Sequence, residues 1–222
     1  MPEPRPGVPR VLLTGFEPFG GEVVNPSQDI VRALDGATIA GHRVVGHVLP
    51  VSFAATLPLL DDLVERHRPV LVLALGQAGG RSEISLERVA VNLVDARIAD
   101  NDGLQPIDVP VVADAPPAYF TSLPSKAIVA QLRERGIPAG PSLSAGSFVC
   151  NQAFFAIAHL LATRLPQARG GFVHVPWLPQ QAAHRPGQPS MALATMIEGV
   201  RAAIECAIGV REDLGTSGGT TH

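Results

Sequence analysis

The chain has 222 residues, 46% hydrophobic and 17% charged, with a formal net charge of -3. Such a composition fits one folded domain with a sizeable core, excludes a disordered chain, and gives no electrostatic footprint for nucleic acid or an anionic membrane. No apolar run reaches about 18 residues, so no membrane span is expected, and two cysteines 56 positions apart make no disulfide framework.

The opening stretch MPEPRPGVPR holds four prolines and no apolar core of the length a secretion signal needs. Residues 1–9 are therefore expected to be a flexible Pro-rich tail, and the expected compartment is a reducing cytoplasm with both thiols free. RVLLTG (10–15) reads as a buried strand, and NPSQDIVRAL opens a helix with Asn25 as N-cap and Pro26 at the first helical position. HRVVGHVLP (42–50) is a second strand, followed by a helical pattern over 53–67. PVLVLALG (69–76) is a continuous aliphatic run, as expected of a parallel strand buried on both faces. SLERVAVNLVDA (85–96) alternates and reads as an exposed-edge or antiparallel element. Residues 97–120, rich in Asp, Pro and Gly, read as a long ordered loop, and loops of that length are more often functional than idle. A helix over 124–135 ends at Gly136; a strand in GPSLSA, a helix beginning at Asn151, the strand GFVHVP (171–176) and a helix over about 190–208 follow. The polar tail 209–222 is expected to be flexible. Strands alternating with helices predict an α/β fold: a single domain over 10–208, a mostly parallel twisted sheet between helical layers, with ligands beyond the carboxyl ends of the strands.

The chemistry-bearing candidates lie at those ends. Cys150, in AGSFVCN, sits where a strand-like segment hands over to a helix. A helix N-terminus favours an anion and by itself lowers a thiol pKa by about one unit, so a cysteine hydrolase needs a histidine as a second contributor. Packing at a helix start is the alternative reading. Of the seven histidines, His174 stands apart because GFVHVP puts it at the carboxyl end of a buried strand. A third, acidic member would orient the imidazole. Glu87, with Arg88 as a possible neighbour, competes for that place with Asp95, Asp100 and Asp102, and spacing does not decide among them. TGFEPFGG (14–21) and GQAGGR (76–81) follow strands but match no phosphate-binding pattern, and Phe16 and Phe19 suit the wall of an apolar pocket. No metal or cofactor motif is legible, and Cys206, in AAIECAIGV, is assigned to packing.

Taken together and in order, TGFEPFGG with NPS, GQAGGR, SLERVAVN, ARIADNDG, AGSFVCN and HVPWLPQQ resemble the pyroglutamyl peptidase type I family, over about residues 10–208. The resemblance implies an α/β/α sandwich and a cytoplasmic homo-oligomer, commonly a tetramer. It also implies a cysteine exopeptidase that removes N-terminal pyroglutamate through a thioester, without a cofactor. It assigns Cys150 as nucleophile, His174 as general base and Glu87 as third member, with Phe16 and Phe19 holding the lactam and Gln77 beside the cysteine. One departure is Trp177, where the family usually carries Tyr; it leaves the three catalytic candidates intact and bears on the packing of the loop that follows. Two other readings of the residues are a phosphate-dependent nucleoside phosphorylase-like enzyme, against which the two loop Phe residues count, and a non-catalytic small-molecule binder with an inert Cys150.

Overall fold

The computed structural model describes residues 7–218. Seven strands form one sheet in the order β2-β3-β1-β4-β9-β5-β8. The central members are β1 (Arg10–Phe16), β3 (His42–Leu49), β4 (Leu71–Gln77) and β9 (Arg169–Val175), all mutually parallel. β2 (Thr38–Ile39) pairs antiparallel with β3 at one edge. At the other side β5 (Ile84–Glu87) runs antiparallel to β9 and parallel to the edge strand β8 (Ala139–Ser142). A separate ribbon joins β6 (Val89–Val91) to β7 (Ala118–Phe120).

Period-two alternation along the strands divides the core into two layers. Val11 and Leu13 of β1, Leu71, Leu73 and Leu75 of β4, and Val173 and Val175 of β9 point to one face. That face is covered by α1 (Pro26–Leu34), α3 (Ser125–Glu134) and α6 (Leu193–Gly209). Leu12, Val72, Ala74 and Phe172 point to the other, where α2 (Thr56–His67) and α4 (Val149–Arg164) pack with Leu60, Leu63, Phe154, Phe155 and Ile157. The short α5 (Pro179–Ala182) follows β9. The result is the three-layer α/β/α sandwich, and the carboxyl ends of β1, β4 and β9 share one rim.

Two expectations are corrected. Residues 85–96 are not an exposed edge and not one element, although both pieces do pair antiparallel, β5 with β9 and β6 with β7. β5 is buried at all four positions between β9 and β8, and the chain leaves the sheet after Glu87 to form the β6–β7 ribbon. A charged strand residue is tolerated there because Glu87 finds cationic and hydrogen-bonding partners, described below. The 97–120 segment is also not all loop: it ends in β7, and Val94 and Val109 form an isolated antiparallel bridge.

The tails expected at 1–9 and 209–222 fall partly, at 1–6 and 219–222, outside the described residues. The described part of the second is anchored. Asp213 accepts hydrogen bonds from the Lys126 and Ala127 N–H groups (3.1 and 2.9 Å) and faces the Ser125 hydroxyl. Its carboxylate thereby caps α3, whose own N-cap residue, Pro124, supplies no side-chain acceptor.

Candidate active site

Each wall of the site is set by local sequence. Asn25 caps α1: its Oδ1 accepts from the Ser27 N–H at 3.1 Å, and its side-chain amide donates to the Glu17 carbonyl at 3.0 Å. Ser27 Oγ in turn accepts from the Phe16 N–H at 2.9 Å. The helix start thus holds the loop that carries Phe16 and Phe19. Phe148 precedes α4, lies 6.2 Å from Phe19 between ring centroids, and meets Phe53 edge-on at 5.1 Å. Phe16, Phe19 and Phe148, together with Asn25, Val51, Gln77, Val149 and Cys150, line a cleft of about 10 Å³, no more room than one water needs. A wider hollow of about 300 Å³ lies beside Leu57, Ala156 and Leu160, but neither cysteine lines it.

Cys150 lies in the first turn of α4, which begins at Val149 rather than Asn151. The register of α4 is fixed by Asn151, whose amide bonds the Val91 N–H and the carbonyls of Val91 and Leu93 at 2.9–3.1 Å. The floor beneath the thiol is Gly76. A Cβ there would lie 2.8 Å from Cys150 Sγ and 2.8 Å from the Phe172 ring. Gly76 is the register partner of His174 across the β4–β9 pairing, so thiol and imidazole are neighbours on the α4 face. Gly76→Ala should therefore push the sulfur aside. A misplacement of about 1 Å costs on the order of 10²-fold in turnover; steady-state kinetics with a preserved melting curve would show it.

His174 is 4% exposed and donates from Nδ1 to Glu87 Oε1 at 2.7 Å. That bond fixes the tautomer and leaves Nε2 unprotonated as a base. Glu87 pairs with Phe172 and Ser142 in the sheet, so its carboxylate lies on the same face as the imidazole. The same Oε1 accepts from Arg81 at 2.6 Å, while Oε2 is buried without a hydrogen-bond partner. The cation expected from sequence was Arg88; the structure supplies Arg81 instead. Successive strand side chains point to opposite faces, and Arg88 lies beside Phe120 and Ser122. The rivals of Glu87 lie elsewhere. Asp95 is exposed, and Asp100 is occupied by the N–H groups of Phe53, Asp102 and Leu104 at 2.7–3.0 Å. Asp102 is exposed too.

Burial lowers the pKa of His174, and the nearby Arg81 charge adds to this, against the hydrogen bond and charge of Glu87, which raise it. Burial works the other way on Glu87, yet the His174 hydrogen bond, the nearby Ser142 hydroxyl and the charge of Arg81 together leave its carboxyl below the ordinary value. Burial first, and then the Glu87 charge, push the Cys150 thiol up to about 12, with Arg81 acting against both. The sequence had suggested a thiol lowered by the helix start. In the closed cleft desolvation outweighs that field, and a lone thiolate is disfavoured.

Gln77 sits at the end of β4, where its Oε1 accepts from Gln181 of α5 at 2.8 Å. Trp177 lies so close over Gly79 that a Cβ would come within 2.2 Å of its ring, and the Arg185 guanidinium sits 4.4 Å above the indole. Arg185 also pairs with Glu22 at 2.5 Å, so the loop after β9 is locked to the loop after β1. Phe148, Arg81 and Gln181 were given no role in the sequence, although each lies in one of the motifs that carry the family resemblance, AGSFVCN, GQAGGR and HVPWLPQQ. Cys206 is buried in α6 on the opposite face of the sheet. Among the described residues no group of three or more His, Cys, Asp or Glu side chains could hold a metal.

Cys150 and the hydrogen-bonded His174–Glu87 pair lie at one rim of an α/β/α sandwich, an arrangement that suits a cysteine-type hydrolase. The family model described as pyroglutamyl peptidase matches residues 9–210, and the chain belongs to the pyroglutamyl peptidase family. It is 52% identical over 217 residues to the pyrrolidone-carboxylate peptidase of Cupriavidus taiwanensis, covering 97% of this chain and all of that one. Pyrrolidone-carboxylate peptidase 1 of Ralstonia nicotianae is 53% identical over 215 residues, with the same coverage. The crystal structure of Bacillus amyloliquefaciens pyroglutamyl peptidase I matches at a TM-score of 0.90 with 40% identity, over 93% of this chain and 100% of that one. Pyrrolidone carboxyl peptidase from Thermococcus litoralis matches at 0.92 with 39% identity, over 94% and 99%. Nothing in these relatives favours the phosphorylase or binder readings.

Proposed function

We propose that the chain hydrolyses N-terminal pyroglutamyl residues from peptides, with Cys150 as nucleophile, His174 as general base and acid, and Glu87 orienting the imidazole. The observation that carries the assignment of roles is the Nδ1–Oε1 bond of 2.7 Å between His174 and Glu87, which leaves Nε2 free as the base, beside the Gly76 position over which the Cys150 sulfur lies. The thiol gives its proton to Nε2 as sulfur attacks the pyroglutamyl carbonyl. Proton transfer converts a costly lone thiolate into an adjacent ion pair, whose titration belongs to both groups. The imidazolium then protonates the leaving amine, leaving a thioester. Water activated by the same Nε2 releases pyroglutamate and restores the thiol. The N–H groups of the first turn of α4 have no intrahelical acceptors and are suited to hold the oxyanion, where one such donor is worth about 3–4 kcal/mol in other hydrolases.

The lactam carries no charged amine, so an apolar cleft walled by Phe16, Phe19 and Phe148 suits it without an acidic anchor. At about 10 Å³ the cleft admits the ring only if Phe19 and Phe148 part. The side-chain amide of Gln77 and nearby backbone are the polar groups available to a lactam N–H and C=O. A site that hydrogen-bonds the lactam carbonyl should turn over a prolyl arylamide about 10⁴-fold more slowly than the pyroglutamyl arylamide. Release of aryl amine from the two substrates, with a thiol-alkylating agent and a metal chelator in parallel, tests this. Comparable prolyl turnover, or loss of activity on chelation, contradicts it.

A cytoplasmic homotetramer belongs to the same reading. Val23, Phe120, Ile107 and Leu143 are large apolar side chains 61–89% exposed, which a subunit interface would cover. Among the described residues no helix is long and apolar enough to cross a membrane.

A further inference from the structure

We propose that Arg81 is a positioning residue of this centre: it clamps the Glu87 carboxylate in the orientation that directs His174 and ties that carboxylate to the loop leading to Cys150. The inference rests on the catalytic roles proposed above for Cys150, His174 and Glu87. Arg81 is the last residue of GQAGGR, in the loop between β4 and β5. One guanidinium nitrogen donates to Glu87 Oε1 at 2.6 Å, the oxygen that also accepts His174 Nδ1–H at 2.7 Å. The second nitrogen reaches the Ser144 carbonyl at 3.4 Å, in the segment between β8 and α4. The Glu87 side chain is 0% exposed and that of Arg81 31%, so the guanidinium forms a solvent-side lid over a buried charge.

The asymmetry at the carboxylate is the informative feature. Both donors converge on Oε1; Oε2 is buried without a hydrogen-bond partner, the Ser142 hydroxyl lying near the carboxylate but outside hydrogen-bond geometry. A carboxylate free to turn would exchange its two oxygens and let the imidazole follow. Two donors fixed on one oxygen prevent that rotation. An exposed ion pair contributes little, but removing one partner of a buried carboxylate leaves an uncompensated charge. The Arg81 charge also acts on the reacting pair. It opposes protonation of His174 and favours ionisation of Cys150.

The ionisable groups packed against the cluster come from four elements: Glu87 on β5, His174 on β9, Cys150 on α4, and Arg81 itself in the β4–β5 loop. Glu83, in the same loop, lies against Gly140 of β8, and Asp95 is joined to the segment before α4 through backbone bonds to Ser147. Withdrawing one positive charge makes the Cys150–His174 pair hold both its protons to higher pH. The acid limb of the activity profile, where the pair takes on its extra proton, and the alkaline limb, where it loses its last, must then move the same way. A merely structural role would lower turnover at every pH and leave both limbs in place.

The test compares Arg81→Gln, Arg81→Lys and Cys150→Ala with the parent enzyme, using a pyroglutamyl arylamide across the full pH profile and melting curves for each. Arg81→Gln should shift both limbs to higher pH, so that turnover at a fixed pH on the acid limb falls about tenfold, the low end of what one nearby charge does. KM should change little, because Arg81 does not line the Phe16–Phe19 cleft. Arg81→Lys keeps the charge and should hold both limbs near their parent positions while kcat falls. Should Arg81→Gln fail to fold, displaced limbs in Arg81→Lys would overturn the proposal, as would a folded Arg81→Gln whose limbs do not move. A Cys150→Ala enzyme with undiminished turnover removes the underlying catalytic assignment instead. A dead Cys150→Ala beside unmoved limbs in Arg81→Gln removes only the role of Arg81.

Discussion

Cys150→Ala is expected to lower turnover of a pyroglutamyl arylamide by about 10⁵- to 10⁶-fold, the scale on which removing the nucleophile acts in another hydrolase. The same variant should fold normally. Cys150 is half-buried, and Ala occupies less of the tight space above Gly76 than the thiol does. The second cysteine cannot substitute, because Cys206 is packed in α6 on the far side of the sheet. What remains after removal of the sulfur is the cleft and the donors of the α4 first turn, which bind and polarise without attacking. Kinetics paired with thermal melting separates this outcome from a folding defect. Turnover within tenfold of the parent would exclude Cys150 as nucleophile.

His174→Ala should be nearly as damaging to turnover, on the order of 10⁵-fold, and it carries a separate signature at the thiol. In the parent, proton transfer to Nε2 makes the reactive form accessible. Without it the thiol titrates alone, and burial and the Glu87 charge hold it above the ordinary thiol value. The thiolate is the species that alkylates. Since this pKa is raised, the reactive fraction is small at neutral pH and grows as pH rises toward that value. Alkylation of Cys150 at pH 7 should therefore slow by at least about tenfold in His174→Ala, and its rate should continue to climb through the alkaline range. Replacement also opens a cavity and deprives buried Glu87 of a partner, so His174→Gln is the better-packed companion: it fills most of the volume and offers Glu87 a donor, but supplies no base. Equal alkylation rates in parent and both variants would show that the imidazole does not activate the thiol.

Much of the frame was readable from local pattern. The aliphatic run ending in β4, the NPS helix start and the strand-end position of His174 all follow from periodicity and capping, and each lies within a few residues of where it was expected. The choice of acidic partner was not readable that way. Glu87 meets His174 only because β5 runs antiparallel to β9, a pairing across 87 residues of sequence that no local signal encodes. The same tertiary event buries β5, which alone reads as a half-exposed strand. It also brings in Arg81 rather than the adjacent Arg88, since neighbouring strand side chains face opposite ways. Glu87 was singled out by family resemblance, and its carboxylate lies 2.7 Å from His174 Nδ1. Phe148 escaped notice because its role arises where the chain enters α4, between two loops that are distant in sequence. The raised thiol pKa is likewise a property of the closed cleft, and a helix N-terminus considered alone points the other way.

The thioester is the step on which the whole reading turns, and it can be caught. Enzyme mixed with excess pyroglutamyl arylamide or ester, quenched in acid within a turnover and digested at low pH, should yield one peptide heavier by a single pyroglutamyl group, the peptide that contains Cys150. The adduct should be absent from Cys150→Ala and should disappear from the parent as substrate is exhausted. An adduct on Cys206 or on a serine, or rapid turnover by a Cys150→Ala enzyme that never carries one, would contradict the assignment of Cys150.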